Sequence, residues 1–193
     1  MDTSASLLES LRDASDETAW NRLFEMYAPL LRNWLRRHNA NAGDIDDVVQ
    51  EVMTVVIRRF PEFQHHSRKG AFRSWLRTIT VNCLRDQWRR NNKHPRATGG
   101  TDCVAAIEQL ADPSSGISRV WDREHDEHVA SFLLAKIQSD FSPQTWLAFR
   151  RFAIDGMSAD EVGEELGITA NAVFIAKSRV MAGLRKQAQG LIE

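Results

Sequence analysis

The chain has 193 residues, of which 42% are hydrophobic and 26% are charged, and its net charge at pH 7 is −1. This composition is ordinary for a soluble globular protein, and it excludes a disordered tail or a disulfide scaffold. The sequence contains no run of about 18 apolar residues, the length that a membrane-spanning helix needs. Its first residues lack the features of a signal peptide. We therefore expect a cytoplasmic protein with reduced thiols, in which Cys83 is a core residue.

The charge is distributed unevenly along the chain. Residues 58–96 hold 11 Lys and Arg against 2 Asp and Glu, a net charge of +9, whereas residues 1–57 and 97–145 each carry −5. A strongly basic block inside a nearly neutral protein indicates a polyanionic partner, and nucleic acid is the one we expect.

The first half of the chain is predicted to form three helices. In residues 17–38 the apolar side chains recur at steps of three and four, and Pro29 is expected to kink or divide this helix. The predicted core positions are Trp20, Leu23, Phe24, Tyr27, Leu30, Leu31, Trp34 and Leu35. A second helix begins after Asp44, a good N-cap. Its predicted core positions are Val48, Val49, Val52, Val55 and Val56.

The third helix contains the stretch FRSWLRTITVNCLRDQWRR, which combines two tryptophans with several arginines. Helical spacing places Phe72, Leu76, Ile79 and Cys83 on one face, which is the predicted core face. Val81 and Leu84 lie roughly opposite, so that the helix either packs between two neighbours or leaves this side open to a partner.

The second half is predicted to begin with a flexible linker and to end in a second helical domain. Residues 96–121 are acidic and carry prolines, glycines, serines and threonines, with one short helical turn near residues 104–110. Four helices are predicted from about Trp121 onwards. The expected fold is therefore all-α, with domains at residues 1–95 and 122–193 joined by the linker 96–121.

A helix-turn-helix motif is predicted within this second domain. Ser158 and Glu161 have the spacing of a capping box, Gly167 ends the short helix in a tight turn, and Thr169 caps a longer helix. The second helix of such a motif enters the DNA major groove.

Together these residues resemble a bacterial RNA polymerase sigma factor of the extracytoplasmic-function (ECF) group. The resemblance is carried by DIDDVVQEV, AFRSWLRTITVNCLRDQWRR and SADEVGEELGITANAV, and it covers roughly residues 17–95 and 122–187. It implies a protein that binds core RNA polymerase and directs promoter-specific initiation, with no catalytic residue, metal or cofactor. In the family, the D-x-x-D-x-V-Q-E helix binds the clamp helices of the β′ subunit. By match, the polymerase-binding residues are Asp44, Asp47, Gln50 and Glu51.

The resemblance also implies that the first domain opens and reads the minus-ten element of the promoter. The family pattern F-x-x-W-L-x-x-I-x-x-N-x-x-x-D is matched by Phe72, Trp75, Leu76, Ile79, Asn82 and Asp86. By the resemblance, the loop at residues 63–70 holds a flipped base. Rings that stack on unstacked bases and cations that bind phosphates are what single-stranded DNA requires. The minus-ten candidates are His66, Arg68, Lys69, Arg73, Arg77, Asn82, Trp88, Arg89, Arg90 and Lys93.

For the second domain, the resemblance implies reading of the minus-35 element and docking on the polymerase β flap. This chain departs from many relatives, because Phe174 and Ile175 stand where Lys or Arg is common. The minus-35 candidates are Thr169, Ala170, Asn171, Phe174, Lys177 and Arg179. The acidic linker is expected to run through polymerase channels that otherwise hold nucleic acid. An anti-sigma protein is a further partner that the resemblance admits.

Two other interpretations compete with this one. A stand-alone helix-turn-helix regulator of duplex operator DNA accounts for the C-terminal motif but leaves the minus-ten-like helix without a purpose. A metal enzyme using His65, His66 and the carboxylates of residues 44–51 lacks any recognised ligand spacing.

Overall fold

The computed structural model describes residues 7–12, 16–37, 45–63, 70–91, 100–189 and 191. Within these residues the regular structure is helical and contains no strand, which confirms the predicted all-α class. The chain forms two compact units, unit 1 (Met1–Val129 with Gly190–Glu193) and unit 2 (Ala130–Gln189). Across the described ranges, no helix has the length and apolar character needed to cross a membrane.

Unit 1 consists of helices that precede residue 130. They are α1 (Leu7–Ser10), α2 (Glu17–Arg37), α3 (Ile45–Arg59), a 3-10 turn (Phe60–Glu62), α4 (Ala71–Asn91), α5 (Gly100–Ala111) and the first part of α6 (Gly116–Ile137). Its core is formed largely by the apolar stripes of α2, α3 and α4, which pack in sequence order, α2 on α3 and α3 on α4.

The periodicity of α2 and α3 predicted most of this core. Six of the eight positions predicted in α2 are buried, while Trp20 is half-buried. Phe24 is 41% exposed, which corrects its assignment to the core, because it lies at the edge of the buried stripe. In α3, Val55 was predicted to be in the core but is only half-buried, whereas Met53, which was not predicted, is buried. Helix α2 runs through Pro29 without interruption, so the proline does not divide it.

Helix α4 is buried on two sides. Phe72, Leu76, Ile79 and Cys83 form the predicted core face, and all are buried. Val81 is also buried, since α4 contacts α3 and α5. The packing of α4 between two neighbours is therefore confirmed over the alternative of an open second face.

The predicted linker is largely helical. Residues 100–111 form α5 and residues from 116 onwards form α6, so that the described part of the expected flexible segment is two helices of unit 1 joined by a short turn. Ile107 and Leu110 are buried, and the buried Ser118 hydroxyl donates a hydrogen bond of 3.0 Å to the Leu110 carbonyl. This corrects the linker and moves the boundary between the units from residue 121 to residue 129. Ile107 and Leu110 are three residues apart, a spacing that allows α5 to bury one apolar face. The glycine- and serine-rich residues around them gave this segment the composition of a linker.

Unit 2 contains the end of α6, a 3-10 turn (Gln138–Asp140), α7 (Pro143–Ala153), α8 (Ala159–Leu166) and α9 (Ala170–Ala188). Its core includes Ala148, Ala159, Val162, Val173 and Ala176. The short helix, glycine turn and longer helix that the sequence predicts are all present.

Local hydrogen bonds determine where α8 and α9 begin. The Ser158 hydroxyl accepts from the Glu161 amide at 3.3 Å, and the Glu161 carboxylate accepts from the Ser158 amide at 2.8 Å, which confirms the capping box. Gly167 ends α8 with φ +66°, a conformation that favours glycine. The Thr169 hydroxyl accepts from the Ala172 amide at 3.2 Å and starts α9.

Candidate polymerase and nucleic-acid interfaces

An open cleft of about 880 Å³, called here the α4 cleft, lies along α4 in unit 1. Asn82, Trp75 and Arg85 of α4 line it, together with Phe63 and with Leu110 of α5. An amide can both donate and accept hydrogen bonds, and an aromatic ring offers a stacking surface. The α4 cleft therefore has the chemistry needed to hold an unstacked base.

Packed aromatic rings support one end of this cleft. Phe63 lies with its ring centroid 4.8 Å from that of Trp75 and 5.6 Å from that of Phe72, the latter in an edge-to-face arrangement. Phe60, in the 3-10 turn after α3, contacts both Phe63 and Trp75. The cluster fixes the chain at Phe63, the first residue of the predicted base-holding loop.

Two of the predicted phosphate contacts are not on the open surface. The Arg73 guanidinium pairs with Asp126 and lies 3.5 Å from Asp122. Arg77 is only 6% exposed and pairs with Asp122 at 3.1 Å. Both arginines therefore bind α6 carboxylates, a pairing across 45 or more residues that no local sequence pattern signals.

The remaining arginines of α4 are also paired. Arg85 makes a bidentate contact with Glu108 of α5 at 2.9 Å. Arg89 pairs with Asp86 within the same helix at 3.1 Å. Arg85 is absent from the residues predicted from the sequence, although its position three after Asn82 on the same face was the signal that could have found it.

Three of the predicted polymerase-binding residues share one face of α3. Asp47 and Gln50 are exposed and Glu51 is half-buried, at a spacing that brings the three together. Glu51 binds Arg90 at 2.5 Å, so a predicted polymerase contact and a predicted DNA contact bind each other. This hydrogen bond and the attraction of the Glu51 carboxylate raise the pKa of Arg90.

An ion pair between α2 and α3 holds the first turn of α3 in place. Arg32 of α2 donates to the Asp46 carboxylate at 2.6 Å, and this hydrogen bond lowers the pKa of Asp46. Asp46 thus has a partner within unit 1, while Asp47 faces solvent.

Trp88 lies against α5 rather than in the open. It is half-buried beside a cavity of about 140 Å³, whose lining includes Val104 and Ile107. Its indole N–H is buried and has no acceptor among the described residues. Trp88 therefore lies at a small cavity that it shares with α5.

Several predicted residues lie outside the described part of the chain. They are Asp44, His66, Arg68, Lys69 and Lys93, together with His65 of the metal-enzyme alternative. The described residues contain no group of three His, Cys, Asp or Glu side chains that could hold a metal ion. Cys83 is buried as predicted, and burial raises the pKa of its thiol to about 11, so it is a core residue rather than a nucleophile.

The longer helix of unit 2 presents an apolar and basic outer face. Asn171, Phe174 and Ile175 are exposed, and α9 contains no acidic residue. The Phe174 ring contacts Phe152 edge-to-face at 5.3 Å, and the Lys177 ammonium lies 5.1 Å from the same Phe152 ring. Such a face can meet base edges, thymine methyl groups and phosphates.

Comparison with known proteins identifies a family and several relatives of this chain. Residues 23–94 match the Sigma-70 region 2 family. The chain is 27% identical to the RNA polymerase sigma factor CarQ of Myxococcus xanthus, over 93% of this chain and 94% of the relative. It is 28% identical to the ECF RNA polymerase sigma factor ShbA of Streptomyces griseus subsp. griseus, over 90% of each chain. It is also 32% identical to the RNA polymerase sigma factor HrpL of Pseudomonas syringae pv. syringae, over 39% of each.

The class of protein is therefore a transcription initiation factor, of the kind that interacts with core RNA polymerase and promoter DNA. Within that class, the chain belongs to the ECF-type RNA polymerase sigma factors and acts in promoter-specific transcription initiation. The stand-alone regulator is not favoured, because the family match covers the helix that the regulator leaves without a purpose.

Proposed function

We propose that the three interfaces of this sigma factor lie on α3, α4 and α9. The α3 face of Asp47, Gln50 and Glu51 binds the clamp helices of the β′ subunit, because a ridge of carboxylates and an amide pairs with basic residues of a partner helix. The protein acts in the cytoplasm, where polymerase and chromosome meet. An anti-sigma protein that masks this face of α3 would keep the sigma factor inactive.

The observation that carries the minus-ten assignment is the α4 cleft, with Asn82 exposed between Trp75 and Arg85. A flipped base enters the cleft and hydrogen-bonds to the Asn82 amide, while basic side chains around it bind the strand's phosphates. Stacking and phosphate contacts offset the cost of unpairing the duplex, at roughly 1–3 kcal/mol per stacked base.

For the minus-35 element, the outer face of α9 enters the major groove. Thr169, Ala170 and Asn171 lie at its start, and Phe174 contacts thymine methyl groups. Lys177 and Arg179, both exposed, bind phosphates. Unit 2 docks on the β flap in this arrangement.

Reconstitution with core polymerase tests these assignments. The protein is mixed with core enzyme and a random promoter pool, and the transcribed sequences are read. We expect the Gln50→Ala/Glu51→Ala variant to lose initiation from all promoters, since it removes polymerase contacts. Asn82→Ala is expected to retain polymerase binding and to change the preferred minus-ten bases.

Two variants serve as matched controls. Gln87→Ala changes an amide of α4 about 140° around the helix from Asn82, and Glu164→Ala removes an exposed carboxylate of α8. Both should initiate like the wild type. Salt-sensitive duplex binding by the protein alone, without association with core polymerase, would refute the proposal.

A further inference from the structure

We propose that α5 is a covering helix: in the free protein it lies along the part of α4 from Asn82 to Trp88 and must move away before a single strand of promoter DNA can follow α4 beyond the base held at Asn82. The inference rests on the proposed function of α4 and adds a regulatory contact to it. Its occupant is a segment of this chain, seen in place, rather than an unidentified partner.

Charge complementarity favours this interpretation. Helix α4 carries five arginines and one aspartate, whereas residues 100–129 carry seven Asp and Glu against two arginines. Carboxylates pair with all five arginines of α4. Glu108 of α5 binds Arg85, while Asp122 and Asp126 at the start of α6 bind Arg77 and Arg73. At Arg85, α5 thus supplies the negative charge that a DNA phosphate would supply.

The covering helix also occupies space that the nucleic acid would need. Leu110 and Ala111 of α5 form a wall of the α4 cleft opposite Asn82 and Trp75. Further along, Ile107 and Val104 of α5 line the same small cavity as Trp88. A strand of DNA that follows α4 from Asn82 to Trp88 would therefore collide with α5.

The contacts divide into firm and releasable sets. Beyond α5, residues 121–128 are held by buried contacts, including Trp121 against Trp34 with ring centroids 5.2 Å apart and the Tyr27 hydroxyl with His125 at 3.0 Å. By contrast, α5 is held by two buried apolar side chains, Ile107 and Leu110, and by the Arg85–Glu108 pair, which is partly exposed, with 35% and 59% of the two side chains accessible. Exposed ion pairs contribute little and weaken in salt. We therefore place the movement in α5 and leave the start of α6 in position.

The test is the affinity of the isolated full chain for a labelled single-stranded oligonucleotide, measured by fluorescence anisotropy without polymerase. The variant Ile107→Ala/Glu108→Gln weakens both the apolar and the charged contact of α5 with α4. If α4 is uncovered in roughly one molecule in ten, the variant should bind about tenfold more tightly than the wild type. Glu108→Gln alone should show a smaller gain, and it tests the proposal if the double variant does not fold.

Glu127→Gln is the matched control, because it removes the same charge from α6, where the described partner of its carboxylate is Arg123 of the same helix. Hydrogen exchange supplies a second measurement: oligonucleotide added to the wild type should accelerate amide exchange in residues 104–111. Equal gains in Glu127→Gln and the α5 variants would overturn the proposal, as would an absence of gain or slower exchange in α5.

Transcription with core polymerase separates this proposal from the one on which it rests. If wild type and variants initiate equally and bind the oligonucleotide equally, the covering role is refuted and the sigma-factor interfaces stand. If neither binds core polymerase, the proposed interfaces themselves fail.

Discussion

Gly163 lies at the closest approach between α8 and the start of α9, and Gly163→Ala is a direct test of that packing. A Cβ atom at this position would lie 2.8 Å from the Ile168 carbonyl oxygen and 3.5 Å from the Ala170 nitrogen. Both neighbours are backbone atoms, so no side chain can rotate away. Alanine is favoured over glycine inside a helix by about 1 kcal/mol, whereas overpacking costs about 1–3 kcal/mol. Because backbone must shift, we expect overpacking to prevail, with a net loss of about 1 kcal/mol.

Amide hydrogen exchange on the full chain measures this loss where it occurs. A loss of about 1 kcal/mol lowers protection roughly fivefold in residues 159–188. Selection of the minus-35 sequence should weaken as well, since the turn positions the start of α9. Gly116→Ala is the control, because a Cβ there meets nothing within 4 Å. Unchanged or increased protection in Gly163→Ala would refute the argument.

Three further predictions concern stability. Tyr27→Phe removes the hydroxyl that lies 3.0 Å from His125 Nε2, and should cost about 1–3 kcal/mol in urea unfolding because a buried acceptor loses its donor; an unchanged midpoint would contradict the hydrogen bond. Burial lowers the pKa of His125 from its ordinary 6.5, so the unfolded chain binds the proton more readily. The stability that neutral, buried His125 contributes is complete above pH 6.5 and is lost as the pH falls below 6.5. The wild type should therefore lose stability between pH 7.5 and 5.5, and His125→Asn should lose less. Ser158→Ala removes the N-cap of α8 and should cost about 1 kcal/mol by thermal unfolding, whereas Ser114→Ala, in an exposed turn, should cost less.

What could be predicted from the sequence depends on how far each determinant extends along the chain. The capping box of Ser158 and Glu161 spans three residues, and the core face of α4 follows from helical spacing. The same periodicity was wrong for Phe24, because spacing identifies a stripe but not where the neighbouring helix stops covering it.

Sequence alone thus determined the all-α class, most of the buried positions, the short helix and longer helix of unit 2, and the basic character of α4. Tertiary structure decided the partners of those charges: Arg77 binds Asp122, 45 residues away, and Arg85 binds Glu108. It also turned the expected linker into α5 and α6. The physical reason is that α5 is stable as a helix only where Ile107 and Leu110 find an apolar surface, and that surface exists only once α4 has been assembled into unit 1.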